Sequence, residues 1–267
     1  MSYWYASPMG NDSNDGTSFA RAKRTIQAAI DSAAPGETVR VHAGAYNEAL
    51  TIDKPLEVVV YRPSKKWGMA QLVGPGSGAG LTVTGLTGSD AVRFIGFRMQ
   101  GWQTAIAGPN SGGILTAYGL HFAPDIVYGI NPGGLQRLKA WSCVFEEQAC
   151  GIGGAVGINS EITEARGCTF FDCGKSIVVG AGGVLCRWRN CVMANDGGAD
   201  RHVELDPAVA FEADFNLYAG AMPTSGYFHA GGVDYSSNAM YDTQWLAFQD
   251  LNSPPRNGDA GFVRTTV

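Results

Sequence analysis

Six stretches of alternating apolar and polar residues recur along the middle of the chain and align without gaps: VRFIGFRM from Val92, LTAYGLHF from Leu115, LKAWSCVF from Leu138, TEARGCTF from Thr163, CRWRNCVM from Cys186 and FEADFNLY from Phe211. Their starts lie 23, 23, 25, 23 and 25 residues apart. Period-two alternation predicts strands, and a repeat of this length is too short for stacked helix pairs. Leucine-rich repeats share the period but need Leu and Asn at fixed places, which these units lack. A β-solenoid remains, with one coil per repeat.

The columns of the alignment assign faces. The eighth column is Met99, Phe122, Phe145, Phe170, Met193 and Tyr218, large and apolar throughout. Two residues earlier stand Phe97, Leu120, Cys143, Cys168, Cys191 and Asn216, which share that face because side chains alternate along a strand. Both columns are expected to point inward. Between the two strands sits a column of Gly96, Gly119, Ser142, Gly167, Asn190 and Phe215, mostly residues that tolerate a tight bend, so each unit bends there.

The ends read differently. In RTIQAAIDSAAPG, residues 24–36, Ile26, Ala29, Ile30 and Ala33 fall at helical spacing before Pro35 and Gly36 stop the pattern. This predicts a short amphipathic helix ahead of the first strands, around Val39, Val41 and residues 56–61. A solenoid exposes apolar core and unpaired backbone at its first rung, and the helix is the natural cap. A second short helical stretch is expected around residues 243–249.

With 267 residues, 45% hydrophobic and 16% charged, the chain can bury a large core as one β-rich domain over 1–267. Within it, 1–38 supply an N-terminal strand, loop and capping helix, 39–220 the rungs, and 221–267 a C-terminal segment. A formal charge of -5 argues against a nucleic-acid partner. The apolar stretches are strand-sized, so no membrane partner is expected. The N-terminus lacks the regions of a signal peptide, which reads as a cytoplasmic protein, or as a mature or virion-carried one whose export signal is absent.

The six cysteines invite a metal or disulfide reading. Zinc wants close CxxC or Cys/His pairs, whereas here the spacings are longer and no histidine is near in sequence. Cys143, Cys168 and Cys191 occupy one inward column, and Cys150 and Cys173 recur 23 apart, which reads as core filler. Disulfides between stacked rungs are sterically conceivable; free thiols fit an unexported chain better.

The segment YWYASPMGNDSNDGTSFARAKRTIQAAIDSAAPGETVRVHAGAYNEAL resembles the N-terminal part of right-handed parallel β-helix proteins of the pectate-lyase-like superfamily. Many of those begin with an aromatic strand, a G-N-D-x-N-D-G-T loop, a T-I-Q-A-A-I capping helix and a P-G-[DE]-T-V-x-V-x-x-G-x-Y first coil. The match spans about the first fifty residues of this chain and is specific to architecture. The later rungs and GDAGFV agree with it more loosely. The superfamily holds polysaccharide lyases, hydrolases, epimerases, phage tail depolymerases and members without known catalysis. The resemblance implies an all-β fold, a right-handed parallel β-helix with rungs of 23–25 residues and an N-terminal capping helix. It also implies that substrate lies along the outer face of the sheet built from the third strand of each coil, around residues 105–107, 126–130, 150–153, 176–179 and 202–205.

One segment near that sheet is dense in charge. ANDGGADRHVELD, residues 194–206, holds Asp196, Asp200, Arg201, His202, Glu204 and Asp206, and preceding rungs add Asp172 and Lys175, then Glu146 and Glu147. Asp172, Asp196 and Asp200 are candidate Ca²⁺ ligands, since stacked carboxylates suit that ion. In the lyases that the chain resembles, calcium neutralises a uronate carboxylate and a cationic side chain removes the adjacent proton. Lys175 or Arg201 would then be the base, with His202 as acid or base. A merely solvated charged face gives the same pattern. The G-H-G and R-I-K signatures of polygalacturonases and the familiar pectate-lyase arginine motifs are absent.

A second surface competes. On the strand before the bend the outward column reads Ile95, Tyr118, Trp141, Arg166, Arg189 and Asp214, flanked by Arg93, Lys139 and Arg187. Tyr118, Trp141, Arg166 and Arg189 would suit an acidic glycan, rings stacking on sugar faces and guanidiniums pairing with carboxylates. Ordinary lateral stacking on a solenoid produces the same ladder. The leading reading is thus a carbohydrate-active protein acting on an acidic, uronate-containing polysaccharide by β-elimination. Its rival is a non-catalytic glycan-binding or adhesin-like solenoid. A structural scaffold or fragment, self-associating into a homo-oligomer through an uncovered C-terminal rung, is the third.

Overall fold

The computed structural model describes residues 2–61, 69–108, 112–153, 160–195, 202–214, 216–220, 228–230, 233–235 and 261–263. These form three nine-stranded sheets that run the length of a parallel β-helix. The first sheet starts with Tyr3–Ala6, Thr38–Val41 and Leu56–Val60 and ends with Ala210–Asp214. Each coil passes from the first sheet to the second, as from Ala91–Ile95 to Phe97–Gln100, and then to the third, as at Thr104–Gly108. Pairing is parallel from rung to rung. Two antiparallel pairs appear toward the C-terminal end, Phe228–Ala230 with Val233–Tyr235 and Asn216–Gly220 with Gly261–Val263. No helix among the described residues is long and apolar enough to cross a membrane.

The register follows the aligned repeats. Leu115 pairs with Val92 and Leu138, Thr163 with Leu138 and Cys186, and Cys186 with Phe211. The bend column adopts left-handed backbone, with φ of 83° at Gly96, 61° at Gly119, 53° at Ser142, 60° at Gly167 and 52° at Asn190. That conformation is nearly free for glycine and tolerable for Asn, while Ser142 carries a penalty of about 1 kcal/mol. Phe215 lies outside the described residues.

Both inward columns are buried: Phe97, Leu120, Cys143, Cys168, Cys191 and Asn216 in one, Met99, Phe122, Phe145, Phe170 and Met193 in the other. The phenyl rings stack face to face, with centroids 4.6 Å apart for Phe122 and Phe145 and 4.7 Å for Phe145 and Phe170. Such a stack fills the interior up to the opposite wall. A Cβ added at Gly129 would come within 2.8 Å of the Phe145 ring, and one at Gly151 within 2.8 Å of the Phe170 ring. At Gly129 the Gly151 carbonyl oxygen is nearer still to the added Cβ, so the rings and the neighbouring backbone together restrict these positions to small residues. Asn216 closes the cysteine column: its side-chain oxygen accepts from the Cys191 N–H at 3.0 Å, and its amide donates to the Trp188 carbonyl at 2.9 Å. All six cysteines are buried and unbridged. Burial pushes the Cys150 and Cys173 thiols up to about 12, so both stay protonated and unreactive at neutral pH.

At the N-terminal end, helix α1, Ile26–Ser32, buries Ile26, Ala29 and Ile30 over the strands Tyr3–Ala6 and Thr38–Val41. Thr25 caps it, its hydroxyl accepting from the Ala28 N–H. The preceding loop has a polar partner for nearly every turn. The Asp12 carboxylate accepts from the Arg24 N–H at 2.7 Å, the Thr25 N–H at 2.9 Å and the Thr25 hydroxyl at 3.1 Å. Asp15 accepts from Thr17 and pairs with Arg21 at 2.7 Å, while Asn14 donates to the Ala22 carbonyl. Glu48 accepts from the Ile26 and Gln27 N–H groups that begin the helix. The aspartates and asparagines of this loop are accounted for by folding, which is why the segment reports architecture. The second helical stretch expected around residues 243–249 lies outside the described residues.

Candidate functional site

On the third sheet, Lys175 begins the strand Lys175–Val179 and its ammonium is bound by Glu204 of the next rung. Asp172 sits on the turn before it with φ of 49°, its N–H donating to the Ala194 carbonyl. Glu147 holds the equivalent turn one rung earlier, with φ of 60° and its N–H on the Phe171 carbonyl. Glu146 instead faces His121, 2.9 Å away across the second sheet. Asp196, Asp200 and Arg201 lie outside the described residues. Of the three candidate calcium ligands only Asp172 can therefore be placed. Among the described residues no group of three or more His, Cys, Asp or Glu side chains could hold a metal ion.

His202 is in a different place from that expected. It is 1% exposed, facing the interior and not the outer surface beside Lys175. Its Nδ1 lies 3.4 Å from the Ser176 hydroxyl, and burial lowers its pKa to about 4, leaving a neutral imidazole at pH 7. A break in alternation causes this. The His202 carbonyl accepts from both Ser176 N–H and Ile177 N–H, and Ser176 and Ile177 are both fully buried, as in a β-bulge. Two consecutive residues thus face inward, and the His202 side chain joins the same inner wall as Gly129 and Gly151.

On the first sheet the outward ladder is as aligned. Tyr118 pairs with Ile95 and Trp141, Arg166 with Trp141 and Arg189, and Arg189 with Asp214. Tyr118 is 46% exposed, and Arg166 and Arg189 are exposed beyond it. The neighbouring column, Lys139, Glu164, Arg187 and Glu212, alternates in charge. Glu212 receives Arg187 bidentately, at 2.8 and 3.0 Å, and Arg189 at 2.8 Å. The two guanidiniums hold the Glu212 carboxyl below the usual carboxylate range. Arg189 is therefore partly committed within the protein, whereas Arg166 has no ion pair among the described residues. Lys139 approaches the Trp141 ring, 5.3 Å from its centroid. The role of Glu212 is visible in the aligned columns, where it follows Arg187 by one repeat.

The sheet order continues this ladder toward the N-terminus through Ile95, Val59, Arg40 and Tyr5. Around Arg40 gather Tyr3, Tyr5 and Tyr61, with the guanidinium carbon 3.5 Å from the Tyr3 ring centroid, 5.9 Å from Tyr5 and 5.2 Å from Tyr61. Repeat alignment did not reach this cluster, because its strands come from the capping segment and the first coil.

The class that these features define is a parallel β-helix protein with a capped N-terminal end and a lateral face carrying aromatic and charged ladders. No protein-family model and no curated protein matches the sequence.

Proposed function

We propose that this protein binds an acidic, uronate-type polysaccharide along the outer face of its first sheet. The observation that carries the reading is the ladder of Tyr118, Trp141, Arg166 and Arg189 on four consecutive paired strands, with Arg166 exposed and lacking a carboxylate partner among the described residues. Strands about 4.8 Å apart present aromatic rings and cations at a spacing that suits successive sugars and their carboxylates. The test is titration calorimetry with polygalacturonate and with a neutral glucan. Arg166→Ala and Trp141→Ala should each weaken polygalacturonate binding about tenfold, and added salt should weaken the wild type further. Equal binding of neutral and acidic polymers, or full affinity in both variants, would overturn the reading.

β-Elimination at the third sheet is a second reading, favoured by Lys175 standing with Glu204 on that sheet beside the turn of Asp172. There a base would take the proton next to the uronate carboxylate while the glycosidic oxygen leaves, and Glu204 would have to yield Lys175 to substrate. Ca²⁺ held by Asp172 with Asp196 and Asp200 would neutralise the carboxylate. An absorbance assay for unsaturated product, with and without chelator and with Lys175→Ala, tests it: product that persists in Lys175→Ala rejects that base.

A further inference from the structure

The geometry points to a second anionic-sugar subsite at Arg40, framed by Tyr3, Tyr5 and Tyr61, at the N-terminal end of the same lateral face; this rests on the polysaccharide-binding reading above. Arg40 lies in the same outward column as Arg166, five paired strands away, which is roughly 24 Å at ordinary strand spacing. Between them the column is Val59, Ile95, Tyr118 and Trp141, an apolar and aromatic track without a carboxylate.

The guanidinium is held ready for an anion. Tyr3, 37% exposed, covers one of its faces, and Nη1 donates to the Tyr5 hydroxyl at 3.2 Å. Nε and Nη2 make no hydrogen bond, and Arg40 makes no ion pair, among the described residues. Several other surface arginines are paired: Arg21 with Asp15, Arg93 with Glu57, and Arg187 and Arg189 with Glu212. With its carbon over the Tyr3 ring and Nη1 on the Tyr5 hydroxyl, the guanidinium keeps Nε and Nη2 as donors, and that edge matches a carboxylate bidentately. Tyr3 is exposed and Tyr61 partly so, and both rings can contact an adjoining sugar. A polymer lying across the strands would then engage Arg40 and Arg166 at once, and the linkage would raise its affinity above that of a short fragment.

The experiment compares a trigalacturonate with a long oligogalacturonate on the full chain by titration calorimetry. The wild type should prefer the long ligand, and Arg40→Ala should weaken the long ligand about tenfold, collapsing the difference between the two. Arg40→Lys, which keeps charge but loses the fork, should recover only part of it. If Arg40→Ala also lowers the thermal midpoint, Tyr3→Ala carries the same expectation with the guanidinium retained. Full affinity for the long ligand in Arg40→Ala or Tyr3→Ala, with loss in Arg166→Ala, overturns this subsite and leaves the lateral-face reading intact. Binding unchanged in all three variants overturns both.

Discussion

His202 shows how one residue's placement changes its chemistry. Near neutral pH an exposed histidine titrates, but this imidazole is buried in the wall of the helix and its pKa falls to about 4. The unfolded chain takes up this proton near pH 6.5 and the folded chain near pH 4, so between those values the unfolded state binds more protons and stability rises with pH. The contribution is fully present above pH 6.5 and is lost as pH falls toward 4, amounting to about 3 kcal/mol. Burial lowers the His42 pKa as well, which acts in the same direction. Urea unfolding of wild type and His202→Gln at pH 7 and pH 4 isolates the residue: the variant should lose less stability on acidification. Parallel loss in both would mean that His202 is protonated in the folded chain at no cost.

Among the elements, the N-terminal loop and α1 act together, because the loop supplies acceptors for the backbone donors around the helix start. Asp12 alone satisfies three donors on Arg24 and Thr25, and Glu48 satisfies two more on Ile26 and Gln27. Losing a capping acceptor costs about 1 kcal/mol, and Asp12 serves more donors than an ordinary cap. Asp12→Ala should therefore lower stability by about 1–2 kcal/mol, with Asp12→Asn intermediate because its amide oxygen still accepts. Hydrogen exchange of the Arg24 and Thr25 amides reads the same event locally, and unchanged protection in Asp12→Ala would refute it. The rungs behave differently from this cap. Their faces were legible from columns such as Cys143, Cys168 and Cys191, because a solenoid repeats one environment at one spacing. His202 escaped the same logic, since a bulge at Ser176 and Ile177 breaks the period of two that the reading depends on.

For the whole molecule, the stacked interior implies that the six thiols share one barrier. All six are buried in the wall or core of the helix, and in a stacked array each rung is held by its neighbours. Native protein should react with a thiol reagent only as it unfolds, and denatured protein without reductant should show all six groups. Rapid labelling under native conditions, or fewer than six groups after denaturation, would contradict the buried, unbridged array. The sequence alone determined the coil: its period, its inward columns, its bend and its helical cap, because backbone pairing and side-chain alternation are local and repeat from rung to rung. The outward ladder of Tyr118, Trp141, Arg166 and Arg189 was readable for the same reason. Only the tertiary structure decided which cations remain available. Glu212 occupies Arg187 and Arg189 from the following rung, Glu204 occupies Lys175, and Arg40 enters the ladder because the first coil pairs with the N-terminal strand. Spacing along the chain sets Arg187 beside Glu212, but which neighbour each cation then engages depends on how the side chains lie across the rungs, as when Glu212 takes both Arg187 and Arg189.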